Sequence, residues 1–202
     1  MSYLSAKLFV WLQGAVFYKN LHSEAVNILP RIENGKWLDV GCGPGLMTRL
    51  AVENGYDATG IDTDPFMIRE ARRIAHNERS NAVFEVGDAL HLKKESADVV
   101  SASSLLATLE DKSAALISLF SAVKHGGVLL VIEPTDKMTQ VAVSDTLRTR
   151  SKEKGINALR LGARARHGRI TDPKIFEVIK SKKISFVPLL GGIVGAWFIY
   201  KI

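Results

Sequence analysis

Trp37-Leu-Asp-Val-Gly-Cys-Gly-Pro-Gly45 compresses a buried strand, a glycine-rich turn and a helix start into nine residues. Trp37, Leu38 and Val40 form a short apolar run suited to a central strand, and Gly41, Gly43 and Gly45 follow at a spacing of two. Glycine belongs where backbone bends tightly or must let a ligand come into van der Waals contact with the main chain. Pro44 has a fixed φ and no N–H, so the sequence places it in the first turn of a helix running to about Asn54. A dinucleotide fingerprint wants Gly-x-Gly-x-x-Gly, and Leu46 stands where its last glycine would fall, which weakens a nicotinamide reading.

The pattern continues outward from this turn. Gly55-Tyr-Asp-Ala-Thr-Gly-Ile-Asp62 reads as a turn and a second strand that ends in an acid. Asp62 lies 17 residues beyond Gly45, close to the interval of about 20 at which an acid reaches a ribose hydroxyl in such folds. A carboxylate accepts two hydrogen bonds from a vicinal diol and repels a phosphate at the same place, so an adenosine without a 2′-phosphate suits it. Asp64 reads as the N-cap of a helix from Pro65 to about His76. Val83-Phe-Glu-Val-Gly-Asp-Ala89 is a third strand closed by Gly87 and Asp88, and Ser96 to Ser104 gives a fourth. A helix over Lys112 to Val123 and a fifth strand over Gly126 to Pro134, entered by a glycine turn, complete the series. Strands alternating with helices at this interval predict a parallel sheet with helices on both faces.

Asp39-Val-Gly-Cys-Gly-Pro-Gly45 resembles the Asp/Glu-x-Gly-x-Gly-x-Gly signature of class I, Rossmann-like methyltransferases. The resemblance covers about Trp37 to Pro134. It implies S-adenosyl-L-methionine as cofactor and a doubly wound, mostly parallel seven-stranded sheet closed by a C-terminal antiparallel hairpin, under an N-terminal helical lid. By the same resemblance Asp39, Gly41, Gly43 and Gly45 belong to the cofactor turn, and Asp62 to the ribose. Asp88 and Ala89 fall where the family reads the adenine, and Ser103, at the end of the fourth strand, is a candidate by position. Met67 resembles a common family pair with Ile68, although core packing explains it equally. The implied reaction is attack of a nucleophile on the sulfonium methyl group, for which in-line positioning supplies much of the acceleration.

The chain has 202 residues, room for one domain with a sizeable core. Within it residues 1–30 read as N-terminal helices, 36–134 as the cofactor-binding core, 135–183 as a basic substrate-side segment and 184–202 as the closing hairpin. Hydrophobic residues at 47% and charged residues at 24% exclude bulk disorder. Cys42, the single cysteine, excludes an intrachain disulfide and argues for a reducing compartment, and its place in the turn suits small-residue packing. The N-terminus has no basic leader region, so the cytoplasm is expected. The net charge of +6 is uneven: residues 1–147 carry 14 basic against 18 acidic side chains, and residues 148–183 carry 12 against 3. Such a segment suits an anionic small molecule, and also RNA or an anionic membrane surface.

Leu4, Leu8, Trp11, Leu12, Ala15 and Val16 recur at helical spacing in residues 3–28, where Tyr18 and His22 would share one helix face. Tyr18, His22 and His167 are the proton-handling candidates for catalysis. A base is needed only where the acceptor must lose a proton. No clustered His, Asp and Glu set suggests a metal. His91 and His125 read as surface residues near strand ends. The 135–183 segment shows breaks at Gly155, Gly162 and Gly168 and a cap at Thr171 before Asp172-Pro173, and Arg164, Arg166 and Arg169 offer donors to a carboxylate or phosphate. The uncharged run Ile184 to Tyr200 is at the short limit for a membrane span, but Pro188 and Gly191-Gly192 divide it into two strands around a turn. Methyl transfer to a small-molecule acceptor is therefore the expected function. The alternatives are a lipid or quinone acceptor at the membrane surface, RNA, and a non-catalytic cofactor-binding scaffold.

Overall fold

The computed structural model describes residues 10–11, 13–152, 155–165, 170–180 and 183–202. Helix α1 (Val16–Val26) leads into β1 (Lys36–Val40), α2 (Leu46–Glu53), β2 (Asp57–Asp62), α3 (Pro65–Glu78) and β3 (Val83–Val86). There follow β4 (Ala97–Ser103), α4 (Lys112–Ala122), β5 (Val123–Pro134), α5 (Gln140–Thr149), α6 (Ala158–Ala165), β6 (Lys183–Leu189) and β7 (Val194–Tyr200). The seven strands form one sheet in the order β3-β2-β1-β4-β5-β7-β6. β1 is central and pairs in parallel with β2 and β4, so that Trp37 sits between Ala58 and Val99. β7 enters antiparallel to both β5 and β6. The closing hairpin therefore exists, and no helix among the described residues is long and apolar enough to cross a membrane.

Two apolar cores sandwich the sheet. On one face Phe17, Leu21, Ala25 and Val26 of α1 and Leu46, Met47 and Leu50 of α2 pack with Val143, Leu147 and Leu159 against Trp37, Leu130 and Phe198. Phe17, Leu21 and Ala25 recur at intervals of four with Val26 beside the last, the stripe a helix needs to bury one side. On the other face Leu116 and Leu119 of α4 and Phe176 of a 3-10 helix (Pro173–Val178) cover Val100, Leu129, Val131 and Trp197. A third cluster joins Cys42 to Ile68, Ala71, Ala75 and Phe84 under α3. Edge exposure is managed at both ends of the sheet. Arg72 donates from Nε and Nη2 to the Phe84 carbonyl on β3 (3.1 and 2.6 Å), and the edge strand β6 carries Pro188, which has no N–H to offer.

Several local expectations shift. Pro44 precedes the helix: Gly45, left-handed at φ 80°, is the N-cap, and α2 starts at Leu46. β5 begins at Val123, immediately after α4, and its pairing with β4 slips between Ala97 and Val99, so the Gly126-Gly127 turn is a bulge inside the strand instead of its entrance. Gly162 lies within α6, because Leu159 on the buried side holds the helix against the core despite the glycine. Asp172, not Thr171, caps the segment that follows, accepting from the Lys174 N–H at 2.9 Å. Asp64 does cap α3, accepting from Phe66 N at 2.9 Å. Gly168 lies outside the described residues.

Candidate active site

The glycine turn is held from three sides. The N–H groups of Gly41 and Cys42 both donate to the Ile61 carbonyl (2.8 and 2.9 Å), laying the turn across the end of β2. Gly41, Gly43 and Gly45 all have positive φ (70°, 51° and 80°). At Gly45 a Cβ would also fall 2.3 Å from the Phe84 ring, so glycine answers both a backbone and a packing demand there. Buried Arg49 reaches back from α2, donating to the Pro44 carbonyl from Nη1 and to Glu78 from Nε, each at 2.7 Å.

Beneath the turn sits Asp39, 1% exposed. Thr48 of α2 donates to its Oδ2 and Ser101 of β4 to its Oδ1, both at 2.8 Å, while Trp37 Nε1 donates to Ser101 Oγ at 2.8 Å. Burial pushes the Asp39 carboxyl up to about 6, against the lowering effect of these hydroxyls. With both oxygens engaged inside the core, Asp39 braces β1, α2 and β4 under the turn. The thiol of Cys42 is buried and pushed upward by desolvation, as packing predicts.

Asp62 is placed differently. Its Oδ2 accepts from Gly43 N and its Oδ1 from Asp64 N, each at 2.9 Å, at the partly buried end of β2. A carboxylate has about four lone-pair sites, so one on each oxygen remains for an incoming diol. Burial raises its pKa while the two N–H groups oppose that shift. One loop further on, Asp88 is exposed, with Oδ1 accepting from Leu90 N (3.0 Å) and Oδ2 beside His91 Nδ1 (3.1 Å). These bonds, the Leu90 N–H foremost, lower its pKa. Ala89 is turned into the core.

At the end of β4, Ser103 meets α1. His22 is 2% exposed, with Nδ1 at 2.8 Å from the Tyr18 carbonyl and Nε2 at 2.8 Å from Ser103 Oγ. A carbonyl only accepts, so Nδ1 carries the proton and Nε2 accepts from the Ser103 hydroxyl. Burial pushes His22 down to about 4, and it is neutral at pH 7. The Tyr18 and His22 rings lie 4.3 Å apart, as their shared helix face predicts. Just beyond β4, Leu106 N donates to buried Glu133 Oε1 (2.7 Å), tying the turn after β4 to the end of β5. His167, Arg166 and Arg169 lie outside the described residues.

Thus the structure gathers the glycine turn, Asp62, Ser103 and His22 at the carboxyl ends of β1, β2 and β4, where open α/β sheets bind ligands. Sequence reasoning missed the supports of this arrangement, Thr48, Arg49, Ser101 and Glu133. Thr48 and Arg49 lie one helical turn past the glycines and face inward, which periodicity alone signals only as core.

Residues 32–179 match a family described as a methyltransferase domain. The chain belongs to that family. Among curated proteins, the trans-aconitate 2-methyltransferase of Rhodopseudomonas palustris is 32% identical over 108 residues, which cover 52% of this chain and 41% of that protein. The ubiquinone biosynthesis O-methyltransferase of Coxiella burnetii is 29% identical over 94 residues, 46% of this chain and 40% of that one. The matched stretch thus spans about two fifths of these relatives' own length. A Methanococcus maripaludis structure assigned as an S-adenosyl-L-methionine-dependent methyltransferase superposes with a TM-score of 0.68 at 18% identity, covering 97% of this chain and 91% of its own. That likeness shows the same methyltransferase fold. S-adenosylmethionine is the cofactor this family implies, and the residues present fit it: a turn without side chains on three positions, and an acid with free lone pairs one strand away.

Proposed function

We propose that the protein transfers the methyl group of S-adenosylmethionine to a small-molecule acceptor that carries a carboxylate or phosphate. The observation that carries the cofactor half is Asp62, anchored by Gly43 N and Asp64 N with one lone pair on each oxygen left over. Bound there, the cofactor supplies a methyl group already activated by a sulfonium charge. Asp62 would hold the ribose hydroxyls, the glycine turn would let the ligand lie against bare backbone, and Asp39 would keep that turn in place from below. Ser103, whose proton is committed to His22, offers only lone pairs to a ligand, which suits a donor such as an ammonium group.

The acceptor half rests on a cleft of about 470 Å³ between α5 and α6, lined by Gln140, Ser144, Arg160 and Arg164. Arg160 and Arg164 are one helical turn apart and exposed, so their guanidinium forks can converge on one anionic group. Both helices follow the carboxyl end of β5. The name of the Rhodopseudomonas relative, with an acceptor bearing several carboxylates, supports the same class. A carboxylate is ionised at neutral pH and needs no general base to attack a methyl group. The test is release of S-adenosylhomocysteine across a metabolite panel that includes polycarboxylates, sugar phosphates, RNA and anionic vesicles. Turnover confined to RNA or vesicles would overturn the small-molecule reading, and tight cofactor binding without turnover on any class would favour a scaffold.

A further inference from the structure

Asp62 and Ser103 flank the first glycine of the turn from opposite sides. β1 pairs Val40 with Ile61 on one side and with Ala102 on the other, so Gly41, the next residue, stands between Asp62 and Ser103. Neighbouring strands lie about 4.8 Å apart, which sets these two residues about 10 Å from each other across bare backbone. A ligand that rests its ribose on Asp62 and crosses the turn brings its other end to Ser103, which is partly exposed. In S-adenosylhomocysteine that other end is the amino acid, joined to the ribose by a thioether chain.

What Ser103 can offer there is decided from behind, by His22 of α1. Its Nδ1 donates to the Tyr18 carbonyl at 2.8 Å, which leaves Nε2 an acceptor, and the Ser103 hydroxyl lies 2.8 Å from Nε2. The Tyr18 ring lies 4.3 Å from the imidazole, and His22 is 2% exposed, so water has little access to replace that bond. A hydroxyl that turned its hydrogen toward a ligand would leave a buried ring nitrogen dry, forfeiting both its hydrogen bond and its hydration. The hydrogen therefore stays on the His22 side, and the lone pairs of Ser103 are what a ligand meets.

We propose that His22 is a positioning residue that makes Ser103 a one-way acceptor, so that the site selects a cofactor whose amino-acid end presents an ammonium group over one that presents a carbonyl. His22 acts through Ser103 and touches no ligand. An ammonium that donates to the Ser103 oxygen also strengthens the hydroxyl as a donor to His22, because hydrogen bonds in a chain polarise one another. Cofactor binding and the docking of α1 on the sheet thereby support each other. The identity of the ligand in this inference rests on the methyl-transfer reading.

The test is calorimetry on the full chain with three ligands: S-adenosylhomocysteine, its deaminated analogue with hydrogen in place of the amino group, and its 2-oxo analogue, whose carbonyl can only accept. The parent should bind S-adenosylhomocysteine about tenfold more tightly than the deaminated compound, the factor one charge-assisted hydrogen bond provides, and the 2-oxo compound no more tightly than the deaminated one. His22→Phe frees the hydroxyl to turn outward, so the 2-oxo analogue should gain about threefold or more relative to the deaminated one. His22→Leu gives the same comparison if the phenyl ring does not fit. Ser103→Ala should abolish the tenfold preference, and adding His22→Phe to it should change no ligand ratio further. A loss of affinity in His22→Phe that is equal for all three ligands would mark His22 as merely structural and overturn the proposal. An undiminished preference in Ser103→Ala, or a parent that favours the 2-oxo over the deaminated analogue, would overturn it too. These outcomes leave the cofactor reading standing, whereas a parent that does not bind S-adenosylhomocysteine would overturn that reading and this inference together.

Discussion

Asp39→Asn and His22→Gln should change the pH dependence of stability in opposite directions within one pH window. In the folded chain Asp39 titrates at about 6 against 3.8 for an ordinary aspartate, because burial disfavours its charge. Between those values the folded state holds a proton that the unfolded state has lost, so stability falls as pH rises. About two pKa units at 1.36 kcal/mol each make this about 3 kcal/mol, lost by the parent between pH 4 and pH 7. His22 titrates at about 4 when folded against 6.5 when free. There the unfolded state holds the extra proton, so stability rises with pH by about 3 kcal/mol over nearly the same interval. In the parent the two slopes largely cancel. The assay is urea unfolding of parent, single and double variants at pH 4, 5, 6 and 7, compared as differences from the parent so that contributions such as that of Asp62 drop out. Asp39→Asn should gain about 3 kcal/mol relative to the parent from pH 4 to pH 7, His22→Gln should lose about as much, and the double variant should track the parent's slope. A pH-independent difference for either single variant would refute the claim that burial sets these two titrations.

Calorimetry should show Asp62→Ala weakening S-adenosylhomocysteine binding by about 1–3 kcal/mol, through lost charge-assisted hydrogen bonds; unchanged affinity would remove Asp62 from the site. Reversing charge at Arg160 and Arg164 should raise KM for an anionic acceptor at least tenfold with cofactor affinity unchanged, and an equal effect on a neutral acceptor would count against the cleft. Gly45→Ala should lower unfolding free energy by more than about 1 kcal/mol, because an alanine must adopt φ 80° and its Cβ must displace the Phe84 ring; a stable variant would mean that the Phe84 ring of β3 gives way. Removing residues 184–202 should leave no cooperative unfolding transition, since β5 would lose its pairing with β7 along Val128 to Pro134.

The identity of the fold was legible in the sequence because its decisive features are local. A glycine turn, an acid at a strand end and an apolar run of strand length are each set by backbone conformation and by burial periodicity within a few residues. That is why the order of strands and helices, the cap at Asp64 and the hairpin at Gly191-Gly192 could each be read from the residues that form them. What the side chains do depended on partners far away in the chain. Asp39 and Asp62 look alike as acids beside a glycine turn, yet Ser101, 62 residues on, turns Asp39 into a buried brace, while Asp62 keeps open lone pairs. His22 meets Ser103 across 81 residues, and with Nδ1 committed to the Tyr18 carbonyl that contact engages its second nitrogen. The strand order that brings β7 between β5 and β6 likewise decided that Trp197 would meet the Phe186 ring. Sequence periodicity reports which face of an element is apolar; which distant polar atom completes a hydrogen bond is settled only when the sheet assembles.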